Sequence, residues 1–558
     1  MRSTLVAAAL GAASLSVPAT SLGQTAAPAP PQPLHDAPDA TPPPPPPPPA
    51  APPPLHGVDL TTLEKLRDRG ILSESEYDAA VRDIGGSTGG RHASDATSLV
   101  FGRWVTTLYG FLEGDTIYDS TQSFTDVAGN AQVLRPSGNT APLAPSFSGL
   151  PPGTPQPVQQ TQGYYGSHGQ TIFSIRNSRI GLRLRPPGTE KVHTSGLIEM
   201  DFLGNQPSGI TQSAYFTSPT MRIRHAMFRV ETPIVDVMVG QYWNLFGWQE
   251  GYLPNTVEIQ GVPGELYSRT PQVRVSKKLP MGSSSLEIAV AASRPPSLSE
   301  VPELEGGLRF TLGSLTGLHT AGATGTSILP ASIAVTGDFR YFEVPEAAAV
   351  VPTAMVNTQS TAIAADLFLP IVPARENERD NALSLMGQAV TGGGISDLYS
   401  GMNSGVMFPF IQNTSGTETY PAWPSNIDQG LVAYDLNTGP GGFALHPIQW
   451  TSLLVGLEYY LPGLGGKVWV SGNFSHMQSN NTSQFARDNG ATPNPNQDFF
   501  LTDQSQVRKG EDWWDANVFF DPLASVRVGL ELATFYDHYV DDYTAKNYRV
   551  QASGFFIF

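Results

Sequence analysis

The stretch Tyr548 to Phe558, YRVQASGFFIF, decides the reading of the chain. Tyr548, Val550, Ala552, Gly554, Phe556 and Phe558 share one parity, and Arg549, Gln551 and Ser553 the other; Phe555 and Ile557 interrupt the polar side only near the end. Successive side chains of an extended chain point to opposite faces, so this is a strand with one apolar and one polar side. An amphipathic strand running to a terminal aromatic suits a sheet that closes on itself with its apolar face outward. A strand of a secreted sandwich is the competing reading.

The same period of two runs upstream as far as Arg103. Candidate strands are 104–117, 171–185, 193–203, 221–231, 235–243, 271–278, 285–293, 307–313, 331–342, 360–369, 381–390, 449–460, 467–476, 511–520, 524–536 and 547–558. Sixteen is even, which brings both ends of a closed sheet to one side of a membrane. Long connections (118–170, 204–220, 244–270, 391–448, 477–510) mostly alternate with short ones carrying Pro or Gly (186–192, 232–234, 461–466, 521–523). A transmembrane barrel needs that pattern, and a sandwich does not. The segment 314–330 is too long for a turn in this scheme and leaves the register open there.

Composition agrees. Charged residues make up 15% of the chain, Gly and Pro number 56 and 50, and there is no Cys, which excludes disulfides, thiol catalysis and Cys-based metal sites. A formal net charge of −17 argues against a nucleic-acid partner. Residues 1–23 read as a signal peptide, with Arg2, an apolar stretch from Leu5 to Val17, and Ser21-Leu22-Gly23 as a cleavage site. Beyond it no apolar run reaches the roughly 20 residues of a membrane helix. Residues 24–57 form an Ala/Pro-rich linker, unbroken proline from Pro42 to Pro49, read as a stiff spacer or a PxxP ligand. Residues 58–86 carry two short amphipathic helices, with Leu60, Leu63 and Leu66, a C-cap Gly70 and a capping box at Ser73–Glu76. This hairpin reads as a periplasmic oligomerisation staple or as an element docked on the barrel rim. Residues 87–102 link it to the barrel, 103–558.

Parity also sorts the wall. With Ile180, Leu182 and Leu184 outward, Arg179, Arg183 and Arg185 face inward; with Met221 and Ile223 outward, Arg222 and Arg224 do; with Val273 and Val275 outward, Arg274 does. A charge facing lipid at mid-membrane costs about 2–4 kcal/mol, which enforces the sorting. The same logic places Arg309, Arg340, Arg527 and Arg549 inside with Glu199, Asp201, Glu287, Asp338, Glu458 and Glu531. Two readings stay open for the arginines: a pore lining that favours anions, or cross-strand ion pairs of Arg183 and Arg222 with Glu199 and Asp201. His225 shares the outward parity of Met221 and Ile223 and reads as a packing or subunit-interface residue. The connection Asn244–Thr270, with Phe246, Trp248, Glu250, Glu258 and Glu265, is long, aromatic and acidic; it reads as an ordered loop, either folded into the interior or forming an external lid.

Three blocks carry a resemblance: LYGFLEGDTIYD (108–119), SRIGLRLRPP with GLIEMDFLG (178–204), and MRIRHAMFRVETP with VMVGQYWNLFGWQEGYLPNTVEIQGVPGELYSRTPQVRV (221–275). Together they resemble trimeric outer-membrane porins of the family that includes dicarboxylate-passing and phosphate-selective channels. The likeness covers residues 105 to 280; the rest matches in strand rhythm and in Phe558, which is similar to the terminal signal read by the barrel assembly machinery. The resemblance implies a homotrimer in contact with outer-membrane lipid and lipopolysaccharide, passing small, often anionic solutes along arginines such as Arg222 and Arg224, with the connection Asn244–Thr270 as the loop that narrows the channel. The proline run and the helical hairpin depart from the barrel-only pattern. No enzyme signature is present: no HExxH, P-loop or GxSxG occurs, and no cofactor or metal is expected. Asp537, Asp541 and Asp542 read as a solvated loop tip or a site bridging lipopolysaccharide.

Overall fold

The structure is a computed structural model that describes residues 98–101, 104–124, 132–134, 166–189, 191–204, 220–249, 261–296, 299–320, 325–346, 351–374, 378–399, 402, 411–412, 418–419, 430–435, 444–485, 507–540 and 542–558. The chain separates into Met1–Asp59 and Leu60–Phe558, and every described residue belongs to the second unit. The expected signal peptide, proline linker and helical hairpin lie outside the described residues. Of the linker 87–102, Ser98–Phe101 pairs back on the first wall strand, Phe101 opposite Trp104.

Sixteen strands make the wall. They are β1 (Trp104–Asp119), β2 (Gln170–Ser174 and, after a break, Arg179–Arg185), β3 (His193–Asp201), β4 (Arg222–Glu231), β5 (Asp236–Trp243), β6 (Arg269–Met281), β7 (Ser284–Ser293) and β8 (Glu303–His319). Then follow β9 (Ser327–Pro345), β10 (Met355–Val372), β11 (Leu383–Gly393), β12 (Gln449–Tyr460), β13 (Val468–Ser479), β14 (Arg508–Leu523), β15 (Val526–Tyr539) and β16 (Thr544–Ile557). Each pairs antiparallel with its sequence neighbours, and β1 pairs with β16 from Phe111 opposite Ile557 to Asp119 opposite Arg549. The sheet is therefore closed. Gly110 and Phe558 exchange backbone bonds of 2.8 and 3.0 Å, so the terminal aromatic lies in the closing seam. Closure pairs each of the sixteen wall strands on both sides, which is what a wall in hydrocarbon requires.

Side-chain chemistry follows the pleat. On β16 the exposed Tyr548, Val550 and Phe556 alternate with the buried Arg549, Gln551 and Ser553. Leu308, Phe310, Ile333, Val335, Leu453, Val528 and Leu530 continue the apolar outer face. Turns at one end are as short as Gly282-Ser283 and Ala524-Ser525, whereas the connections at the other end hold the long loops.

Two local departures matter. Between Glu199 and Met200 the β3–β4 register shifts: Glu199 lies opposite His225, while Met200 lies opposite Ile223. The extra residue puts Arg224 and His225 on the same inner side, both buried, and Ala226 and Phe228 outward. His225 is thus an interior residue, and the outward expectation is corrected; a bulge flips the parity of everything beyond it. The other departure is at 314–330, which is no loop: β8 and β9 extend through most of it, with a register jump between Leu312 and Thr316.

Candidate permeation path

The interior is built from the inner faces of the strands. Register places Arg179, Asp201 and Arg222 side by side on β2, β3 and β4. Asp201 accepts two bonds from Arg222, 3.0 and 2.6 Å, and one of 3.1 Å from Arg224. Glu199 accepts from Arg224 at 2.7 Å and lies 3.6 Å from Arg179, with His225 Nε2 at 3.7 Å. Three guanidinium groups thus meet two carboxylates, and the cluster retains a positive balance. Arg224 is fully buried, whereas the Arg222 side chain is 35% exposed. Arg183 does not join these pairs: it stacks on the Tyr109 ring at 4.3 Å, and the Tyr109 hydroxyl donates to Glu199 at 2.8 Å. Arg185 is exposed at the strand end, and Arg274, further round on β6, donates to Gln272 and to the Trp243 carbonyl at 2.6 Å. Of the two expected cross-strand pairs, that of Arg222 is present and that of Arg183 is not. Arg222 pairs across strands, and the set as a whole carries surplus positive charge beside the interior.

The connection between β5 and β6 enters the barrel. Phe246 N–H donates to Glu305 Oε2 at 2.6 Å and Gly247 N–H to Thr336 Oγ1 at 3.0 Å, on inner faces of β8 and β9. Trp248 lies under the Arg309 guanidinium at 4.3 Å. A Cβ at Gly307 would stand 3.1 Å from the Trp248 ring, so this wall glycine lets the loop lie close. On the returning limb Leu266 N–H donates to Gln388 of β11 at 2.8 Å, and Arg224 donates to the Tyr267 hydroxyl at 3.3 Å. The loop thus bridges β4 and β11 across the interior. Glu265 is buried and accepts from Val262 N–H of its own loop at 3.3 Å; Glu250 and Glu258 lie outside the described residues. Burial alone would raise the pKa of Tyr267, but the guanidinium groups of Arg224, Arg179 and Arg269 outweigh it and hold the phenol below its usual value.

Sequence reasoning missed the contribution of the long β11–β12 connection. Its short helix Ser396–Leu398 packs inside with Tyr399 and Met402, and the Leu398 carbonyl accepts from Tyr267 N–H at 2.9 Å. Asp397 takes two bonds from Arg340, 2.6 and 2.8 Å, while Glu303 takes a third at 3.1 Å. Nothing periodic marks such a segment; a Ser-Asp start to a single helical turn is its only local signal. The other interior arginines also have near partners: Arg309 with Glu287 at 2.8 Å, Arg527 with Asp521 at 2.7 Å, and Arg549 with Asp119 at 2.8 Å. Asp537 is buried against Arg508 at 3.2 Å, Asp542 pairs with Lys509, and Asp541 lies outside the described residues. Among the described residues no group of three His, Asp or Glu side chains is placed to hold a metal ion.

No family model matches the chain, and no curated protein does. Solved structures similar to it are outer-membrane channels and porins. The outer membrane channel DcaP of Acinetobacter baumannii is 14% identical with a TM-score of 0.49, over 82% of this chain and 97% of that one. OprB of Pseudomonas putida is 9% identical with a TM-score of 0.42, over 81% and 94%. OmpF of Salmonella typhi is 8% identical with a TM-score of 0.40, over 83% and 100%. The barrel assignment rests on the chain's own strand pairing, not on these likenesses.

Proposed function

We propose that the chain is an outer-membrane porin through which small hydrophilic solutes diffuse passively, with a preference for anions such as dicarboxylates and phosphate. The arginine cluster carries this reading. Three guanidinium groups share two carboxylates where the inserted loop meets the wall, and Arg222 remains partly exposed. Surplus positive charge at a narrowing stabilises an anion more than a cation of the same size. The N-terminal segment lies in the periplasm on this reading, and Phe558 in its closing seam serves the assembly machinery.

The height of the wall supports a homotrimer. β5 has 8 residues, and at about 3.4 Å per residue and a tilt of about 40° it rises only some 21 Å, less than the apolar band of about 25 Å. A second and third copy against β3 to β5 remove that low wall from lipid, and residues 58–86 are the candidate staple.

A barrel closed to solutes and used for adhesion or envelope anchoring is the second reading. The fully buried inner side chains of Trp450, Trp469 and Trp513 favour it. Flux into vesicles decides between them, using a dicarboxylate, inorganic phosphate and a neutral sugar of similar size. Faster entry of the two anions supports the porin; no entry of any solute from folded barrels supports the closed barrel.

A further inference from the structure

The lower end of the β8–β9 hairpin leaves the wall. The two strands pair regularly from Leu304 opposite Phe339 to Leu312 opposite Ala331; after the jump they resume from Thr316 opposite Pro330 to His319 opposite Ser327. Above the jump exposure alternates as in any wall strand. Below it Gly317, Leu318, His319 and Thr320 are all buried. Four consecutive buried residues mean cover on both faces, which a strand in a one-layer wall does not have.

The cover comes from inside the barrel. The Leu318 carbonyl accepts from Ser384 Oγ of β11 at 2.7 Å, and Thr320 N–H donates to Glu458 Oε2 of β12 at 3.2 Å. Thr320 Oγ1 also bonds the Tyr460 hydroxyl. Ser384, Glu458 and Tyr460 all belong to inner faces, and three strands separate β8 from β12 in the wall, so these bonds run along a chord through the interior. Ala374 N–H, just past β10, donates to the Thr316 carbonyl at 3.0 Å. Leu318 and Ile328 join an apolar cluster with Phe111, Tyr460, Trp469, Phe519 and Phe555. In it Trp469 and Phe519 stack at 4.0 Å and 14°. Inward aromatic rings from β1, β12, β13, β14 and β16 thus form an arc at the mouth that carries both barrel ends. Aromatic side chains on the wet side of a channel need a partner surface, and the hairpin supplies it.

We infer that Thr316–Thr320 with Ser327–Leu329 is a plug, seated on the aromatic arc inside this mouth, and that passage of solute requires it to swing back about the irregular residues Gly313–Leu315. The inference rests on the diffusion reading above. The seat is polar at its rim and apolar at its centre, so leaving it breaks several bonds together and gives two discrete positions rather than a continuum. Gly317 is the tightest point: a Cβ there would stand 2.7 Å from Pro370 Cβ and 2.9 Å from Ser384 Oγ.

Three proteins in planar bilayers test this, each first shown to be folded by heat-modifiable gel migration. Gly317→Val pushes the hairpin off its seat. Thr316→Cys with Ala374→Cys ties it down, and because the chain has no other cysteine the cross-link is unambiguous. The expected record is two conductance levels in the wild type. The Gly317→Val channel holds the upper level, with a mean current several-fold higher, and the oxidised double-cysteine channel holds the lower level until reduced. If Gly317→Val does not fold, Ser384→Ala with Thr320→Ala weakens the same seat and is expected to raise upper-level occupancy. Equal currents in the wild type, the oxidised protein and the unseated variant overturn the plug and leave the diffusion reading intact. A silent bilayer from a folded, unseated variant overturns the diffusion reading itself.

Discussion

Arg224 of the wall donates to the Tyr267 hydroxyl of the inserted loop at 3.3 Å, so the cation that neutralises Glu199 and Asp201 also anchors the returning limb of that loop. Charge balance in the wall and the position of the inserted loop are therefore one device. Replacing Arg224 with Gln leaves two buried carboxylates short of a partner, a change that costs about 3–5 kcal/mol when a buried pair is broken. Tyr267→Phe removes the bond to this charged donor, about 1.5–3 kcal/mol. Unfolding of both variants in denaturant is expected to rank them in that order; equal losses would separate the loop from the cluster.

The same contact sets a pH dependence. Arg224, Arg179 and Arg269 hold the Tyr267 phenol below its usual pKa, so the native state favours the phenolate more than the unfolded chain does. Its contribution is fully present above the unfolded value of about 10 and is lost as pH falls through the lower native value. Stability in the weakly alkaline range is expected to rise with pH in the wild type relative to Tyr267→Phe. An alkaline absorbance titration should show one early phenolate that vanishes in that variant; superimposable titrations would contradict the assignment.

Gly240 of β5 has φ +126°, and a Cβ there would stand 2.3 Å from the Ala226 carbonyl oxygen. It lies opposite Met227, just past the bulge that turns Arg224 and His225 inward. Gly240→Ala is expected to destabilise the barrel by about 1–3 kcal/mol through backbone strain, read from its unfolding midpoint. An unchanged midpoint would mean that the bulge tolerates a different backbone path.

Outer-face polarity gives a fourth comparison. Leu530→Arg puts a charge on the lipid side of β15, where it costs about 2–4 kcal/mol near the midplane, while Lys278→Arg at a strand end is expected to be neutral. Folding into vesicles measures both. Equal yields would place Leu530 away from hydrocarbon.

How far these features were legible in the sequence depends on their range. All sixteen strands were, because the hydrophobic period is local and lipid enforces it at every outward position from Ile180 to Phe556. The inward course of Arg179, Arg222 and Arg274 followed from the same parity. His225 did not, because the bulge is set by pairing with β3, and Ala226-Met227-Phe228 is apolar on both faces and shows no phase change. The segment 314–330 reads as an overlong loop because Gly317–Thr320 are buried on both faces and lose the period of two. The seating of Leu398 and Tyr399 on the inserted loop depends on contacts over a hundred residues away, which no local pattern encodes. The inward path of Phe246 and Trp248 follows from the porin resemblance of this connection, since its length and aromatic content fit an external lid as well, and the turn of Glu265 onto its own backbone has no local signal.

On the diffusion reading, the surplus of arginine beside the inserted loop selects anions. Reversal potential in a salt gradient across a planar bilayer tests it most directly, for the wild type and for Arg222→Ala with Arg183→Ala. These two residues are partly exposed, so the change spares the buried Arg224 pairs. An anion-selective wild type whose reversal potential moves toward zero in the double variant, with openings retained, is the expected result. A wild type that passes cations preferentially, or a reversal potential the variant leaves unchanged, would contradict the claim.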